Sequence, residues 1–209
     1  MISFYSIIFL VSAYLIGSIP FSIIASKALK GIDVREYGSG NAGATNTFRV
    51  LGKKAGTIVL MLDVLKGYSA VSLAILTDFS PSSEIYTNFQ LAFGIAAVLG
   101  HVFPIYAGFR GGKGVATLLG FMIAVFPLPS LVSILVFLFV LMLSKYVSLS
   151  SIISGIVFPF GVWLLSDQLY NTMLVFSVFV PIILIATHQQ NIERLMNGVE
   201  NKIGSKKKD

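Results

Sequence analysis

Gly38-Ser39-Gly40-Asn41-Ala42-Gly43-Ala44-Thr45-Asn46-Thr47-Phe48-Arg49 can be read into two different folds. By letter, Gly38-x-Gly40-x-x-Gly43 is the dinucleotide fingerprint of a βαβ unit, with a strand before it and an acidic residue about twenty positions on. Here the residues before it, 3–26, form an apolar run long enough to cross a bilayer at about 20 residues per crossing. The acidic residue at the required distance, Asp63, lies inside the next apolar run, 56–76. A nucleotide-binding sheet is therefore rejected. The stretch is a loop between two membrane spans.

Composition agrees. Of the 209 residues 56% are hydrophobic and 11% charged, against about a quarter charged in a soluble domain, and the mean hydropathy is +0.87. There is no cysteine, which excludes disulfides, thiolate metal sites and a cysteine nucleophile. Two histidines, His101 and His188, are too few for a histidine-rich metal cluster, so neither metal nor cofactor is expected. The net charge of +6 is read by its location along the chain and gives no reason to expect a nucleic-acid partner.

Seven apolar segments follow in order: 3–26, 56–76, 89–107, the short 115–126, 131–146, 149–165 and 169–187. No basic residue precedes the first, so it reads as a retained span and not as a cleaved signal. Lys27, Lys30, Arg35, Arg49, Lys53 and Lys54 flank or fill the first connection. Arg110 and Lys113 lie in the third, Lys145 in the fifth, and Arg194, Lys202, Lys206, Lys207 and Lys208 in the tail. The second, fourth and sixth connections hold no lysine or arginine. The positive-inside rule then places the N-terminus outside and the tail in the cytoplasm. The expected fold is an all-α, polytopic membrane bundle of about seven segments with cytoplasmic surface helices, forming a single domain over 1–209. Within the tail, 190–204 is expected as an amphipathic surface helix ended by Gly204, and 205–209 as a basic extension that favours anionic lipid.

Three loops on the cytoplasmic side carry polar chemistry. Glycines in the first let successive N–H groups converge on an anion, and Ser39, Asn41, Thr45 and Asn46 add short neutral donors. Residues 45–51 are expected to be helical, which puts Thr45 and Arg49 on one face near a helix N-terminus. The second loop, Gly108 to Gly114, sets Arg110 and Lys113 among glycines, with Lys113 where the next helix begins. It is not a nucleotide P-loop, because Ala107 and Gly114 stand where a glycine and a magnesium-binding hydroxyl are needed. In the third, His188 and Asn191 share a face below the last span. Asp63 and Lys66 are read as a structural pair, His101 as structural, and Arg35 and Lys145 as plain loop charges.

These loops resemble the signatures of the bacterial acyl-phosphate-dependent glycerol-3-phosphate acyltransferase family. The resemblance rests on G-S-G-N-A-G-A-T-N-T-F-R at 38–49, L-D-V-L-K-G at 62–67, H-V-F-P-I-Y-A-G-F-R-G-G-K-G-V-A-T at 101–117 and H-Q-Q-N-I-E-R-L-M-N-G-V-E-N-K-I-G at 188–204. It implies an enzyme of the bacterial cytoplasmic membrane, with its active site on the cytoplasmic face. Such an enzyme moves a fatty acyl group from acyl phosphate to the 1-position of glycerol 3-phosphate, giving lysophosphatidic acid and phosphate. It further implies Ser39, Arg49, Lys113, His188 and Asn191 as catalytic positions. Gly38, Gly40, Asn41, Thr45, Asn46, Gly111, Gly112, Gly114 and Ser151 are implied in phosphate or substrate binding, with Ser148 and Ser150 as alternatives to Ser151.

An acyl phosphate is already activated, so no covalent enzyme nucleophile is required, and a Ser39–His188 covalent route is unneeded. The His-x4-Asp dyad of other glycerolipid acyltransferases is absent: Tyr106 stands five residues after His101, and Glu193 five after His188. His188 has three open roles, as general base, substrate orienter or structural group. Two other functions fit the sequence less well. A transporter of phosphorylated metabolites is expected to carry its site near mid-bilayer on repeated halves, and no repeat is visible. A lipid-binding scaffold leaves the glycine loops unexplained.

Overall fold

In the computed structural model, which describes residues 4–203, every regular element is helical. The α-helices are α1 (Phe4–Gly17), α2 (Phe21–Lys30), α3 (Ala44–Leu51), α4 (Lys53–Ser72), α5 (Glu84–Val102), α6 (Val115–Val125), α7 (Pro127–Ser144), α8 (Val147–Leu165), α9 (Asn171–Thr187) and α10 (Gln189–Met196). Short 3-10 turns occur at Val34–Glu36, Leu73–Leu76 and Ile105–Ala107. Each of the seven apolar segments holds a helix among the described residues, the first broken between Gly17 and Phe21. Five stretches are long and apolar enough to cross a membrane, or six if the bent pair α9–α10 counts as one. α6 has 11 residues, about 16 Å at roughly 1.5 Å each, or about half a bilayer core.

The chain divides into two compact units, the first running to Val125 and the second starting at Phe126. In the first, α4 packs on α6, and α1 on α5. The α4–α6 approach is backbone to backbone: a Cβ on Gly67 would collide with the Thr117 carbonyl, and one on Gly120 with that of Val64. Small residues are the usual device for helix packing where lipid removes the hydrophobic driving force. Ala13, Ala70, Ala74, Phe93 and Ala97 form the buried core beside them.

In the second unit α8 packs against α7 and α9 around Phe126, whose ring lies 5.4 Å from that of Phe158 and 5.9 Å from that of Phe176. α6 ends at Val125, just before Pro127 and Pro129. They sit in the first turn of α7, where a missing N–H breaks no helical bond. Leu131, Leu135, Leu138 and Met142, spaced three and four apart on α7, are all more than half exposed, a stripe suited to lipid tails.

The tail departs from expectation. The helix does not run through 190–204 but stops at Met196, with Gly198 at φ +69°. The Gly198 N–H bonds to the Leu195 carbonyl at 3.1 Å and that of Val199 to the Arg194 carbonyl at 2.9 Å, a Schellman stop that favours glycine at the left-handed position. The chain then doubles back, and the Ile203 N–H reaches the Lys145 carbonyl at 2.8 Å. Gly204 and the lysines at 206–208 lie outside the described residues.

Candidate active site

In the first unit the loop after α2 is built around Asn46. Its side chain is buried in the first turn of α3, and Oδ1 accepts the Ser39 N–H at 2.8 Å. Both hydrogens of Nδ2 are engaged, with the carbonyls of Val34 at 2.9 Å and Tyr37 at 3.0 Å. Both amide hydrogens of Asn46 are thus spent on the loop's own backbone, which they shape. Gly38 (φ +65°) passes so close to Asn46 Oδ1 that any Cβ would collide with it. Ser39, Asn41 and Thr45 are partly exposed, and Arg49, one turn after Thr45 on α3, is exposed.

The second glycine loop returns along α5. The Gly111 N–H bonds to the Val102 carbonyl and the Gly112 N–H to the His101 carbonyl, each at 3.1 Å. Lys113 follows, partly exposed, and the Gly114 carbonyl accepts the Leu118 N–H at 2.7 Å, opening α6. The two loops are tied at Arg35. Its Nε and Nη2 grip Asp33, the latter at 2.7 Å, while Nη1 donates to the carbonyls of Ala107 at 2.9 Å and Arg110 at 3.1 Å. The side-chain bond from Arg35 is the chief cause holding the Asp33 carboxyl below its ordinary range. Arg35 is thus no plain loop charge: it is a staple between the loops.

The second unit carries its own polar cluster. Glu200, nearly buried where the tail doubles back, accepts from Asn191 Nδ2 at 2.7 Å and from Ser148 Oγ at 3.0 Å on one oxygen. Its other oxygen accepts Arg194 Nε at 2.8 Å. Burial alone would raise the Glu200 pKa, but the bonds from Arg194, Asn191 and Ser148 outweigh it and hold the carboxylate below its ordinary value. Ser150 and Ser151 instead donate to carbonyls one turn back, those of Tyr146 and Val147. His188 caps α9, buried, with Nδ1 2.8 Å from the Leu184 carbonyl. A carbonyl only accepts, so Nδ1 carries a proton in that bond.

Against known proteins, a sequence model described as glycerol-3-phosphate acyltransferase matches residues 7–198. A glycerol-3-phosphate acyltransferase of Chlorobaculum tepidum is 43% identical over the whole of both chains. One from Staphylococcus carnosus is 43% identical, covering 94% of this chain and 97% of its own. The crystal structure of PlsY, an integral membrane glycerol 3-phosphate acyltransferase in its glycerol 3-phosphate form, superposes with a TM-score of 0.86. It is 40% identical to this chain, and the match covers 96% of each. The chain belongs to the glycerol-3-phosphate acyltransferase family. It is an all-helical integral membrane enzyme.

For a glycerol-3-phosphate acyltransferase the first unit brings Ser39, Thr45, Arg49 and their glycines onto one loop-and-helix segment, with the Lys113 loop stapled to that segment by Arg35. The second gathers Ser148, Asn191 and Glu200, with His188 one turn before Asn191. Sequence reasoning missed Glu200 and Arg35. Asn197-Gly198 was the available signal for the first, as a glycine stop that turns the chain back. Asp33-x-Arg35 was the signal for the second.

Proposed function

We propose that the enzyme transfers a fatty acyl group from acyl phosphate to the 1-hydroxyl of glycerol 3-phosphate. The hydroxyl oxygen attacks the acyl carbonyl carbon, the resulting tetrahedral oxyanion collapses, and the bond from acyl carbon to phosphate oxygen breaks. Lysophosphatidic acid and inorganic phosphate leave. The hydroxyl proton ends on phosphate, either directly or by way of the His188 imidazole. Arg49 and Lys113 hold phosphate by charge, and the loop amides hold it by N–H donation. Ser39, Thr45, Asn41 and the glycines Gly38, Gly40, Gly111, Gly112 and Gly114 form the cradle. Asn191 is positioned by Glu200 to orient substrate, and sequence resemblance assigns both sets of residues to one reaction.

The observation that carries this reading is the pair of glycine loops stapled at Arg35, with Arg49 in the short helix that follows the first loop and Lys113 just before the start of α6. It is supported by the PlsY structures in glycerol 3-phosphate and lysophosphatidic acid forms, which hold a substrate and a product of that chemistry. We further propose one catalytic domain in the bacterial cytoplasmic membrane, with the loops facing the cytoplasm and the surrounding lipid accepting the product. Purified protein in liposomes, given palmitoyl phosphate and glycerol 3-phosphate, is expected to release phosphate and lysophosphatidic acid in equal amounts. Robust turnover with acyl-CoA in place of acyl phosphate would overturn the donor.

A further inference from the structure

Beneath the glycine loops lies a buried charged cluster that the proposed reaction does not use. Asp63 and Lys66 of α4 pair at 2.8 Å with both side chains almost wholly buried. Lys66 Nζ also donates to the Ile19 carbonyl at 2.9 Å, in the break between α1 and α2, and lies 5.6 Å above the Phe21 ring. His101 of α5 stands beside the pair, its Nδ1 3.6 Å from Asp63 Oδ1 and sharing a hydrogen bond with Thr117 Oγ1 at 3.0 Å. Thr117 is completely buried.

The two loops also meet at the imidazole. A Cβ added to Gly112 of the second loop would run into His101 Nε2 and into the carbonyl of Ala42 in the first. The His101 carbonyl in turn accepts the Gly112 N–H at 3.1 Å. The second loop thus rests on the His101 ring with the first loop against it. The cleft left between Ala42, Gly111 and this cluster has room for about one water, far too little for a substrate. Stability alone does not account for such a cluster, because well-packed apolar side chains of the same volume usually serve as well as a buried ion pair. A buried polar network of fixed geometry instead selects one arrangement among near alternatives.

We infer that His101, oriented by Thr117 and the Asp63–Lys66 pair, is a positioning residue that fixes the separation of the two glycine loops and so sets the affinity for glycerol 3-phosphate. This rests on the phosphate-clamp reading of those loops. Loops that grip phosphate equally in the ground and transition states act on KM more than on kcat.

Thr117→Val keeps shape and burial while deleting the hydroxyl that holds the ring. Calorimetry should show the Kd for glycerol 3-phosphate rising about tenfold, the scale of one lost buried hydrogen bond. KM should rise in parallel, with the loss falling mainly on KM, and Thr117→Ser should restore both. A Thr117→Val protein that melts like wild type and binds glycerol 3-phosphate with wild-type Kd would overturn the inference. So would a variant that loses folded protein while its folded fraction keeps that Kd. If Thr117→Val does not insert, His101→Gln is read the same way: weakened binding supports the role and unchanged binding overturns it. Binding is measured without a donor. Failure of wild-type turnover with acyl phosphate therefore overturns the donor assignment and leaves this result standing.

Discussion

A guanidinium grips phosphate through two parallel N–H bonds, where an ammonium offers a point charge. Removing one desolvated partner of such a contact costs about 2–5 kcal/mol, roughly 30- to several-thousand-fold in rate. Arg49→Ala and Lys113→Ala are expected to lose activity on that scale, and Arg49→Lys to lose much of it despite keeping the charge. Lys145→Ala is the control, since that side chain is exposed and only its carbonyl is engaged by the tail. Arg35 cannot serve as a second control, because its fork holds both loops. Kinetics on membrane-inserted protein decide the matter: near-normal turnover and affinity in both alanine variants would mean the loops are mere connectors. At this scale the sequence showed which side chains were polar but not which way they faced. Asn46 and Arg49 stand three residues apart in one signature, yet the first turns inward to the loop's own backbone while the second is exposed. Only the fold around Val34 and Tyr37 separates the two.

Elements were legible wherever a local signal decided them. Ser83 begins α5 by accepting the Tyr86 N–H, and the apolar periods gave every long helix its approximate place. The tail helix is shorter than its apolar spacing predicts because Gly198 and Gly204 both fit a helix stop, and that spacing continues past the first. The difference matters, since the earlier stop carries Glu200 back to Ser148, 52 residues away in sequence and beyond any local pattern. Glu200 gives this element a pH dependence with a definite sign. Its folded pKa lies below the ordinary value of 4.5, so its contribution is fully present above that value and is lost as pH falls through the lowered one. The melting temperature of the wild-type protein is expected to fall on acidification below pH 4.5, with Asp33 contributing in the same direction. Glu200→Gln should lower it already at pH 7, by a loss of about 1–3 kcal/mol, and should flatten part of the acid slope. Thermal melts of both proteins in detergent between pH 3.5 and 7 check this. An unchanged slope in the variant would assign the acid sensitivity elsewhere.

At the scale of the whole molecule, orientation rests on charge counting and on no packing contact. Lysines and arginines occupy only alternate connections, and the energy that enforces this is the cost of carrying them across during insertion. The connection between α4 and α5 holds Asp78 and Glu84 and no basic residue, while the first and third connections hold the cationic loops proposed to grip phosphate. The proposed cytoplasmic site and the charge rule make the same demand. The chain has no cysteine of its own, so single cysteines report without background. Ser82→Cys, exposed between α4 and α5, is expected to react with an impermeant maleimide in intact cells. Asn201→Cys, exposed in the tail, is expected to react only after the membrane is opened. The short α6 sharpens the test: with α6 counted as a pass there are seven crossings, and the two sites fall on opposite sides. Were α6 to turn back without crossing, the tail would lie on the same side as the α4–α5 connection. Both cysteines would then label together in intact cells, and the cytoplasmic placement of Arg194, Lys202 and the Glu200 cluster would fall with that result.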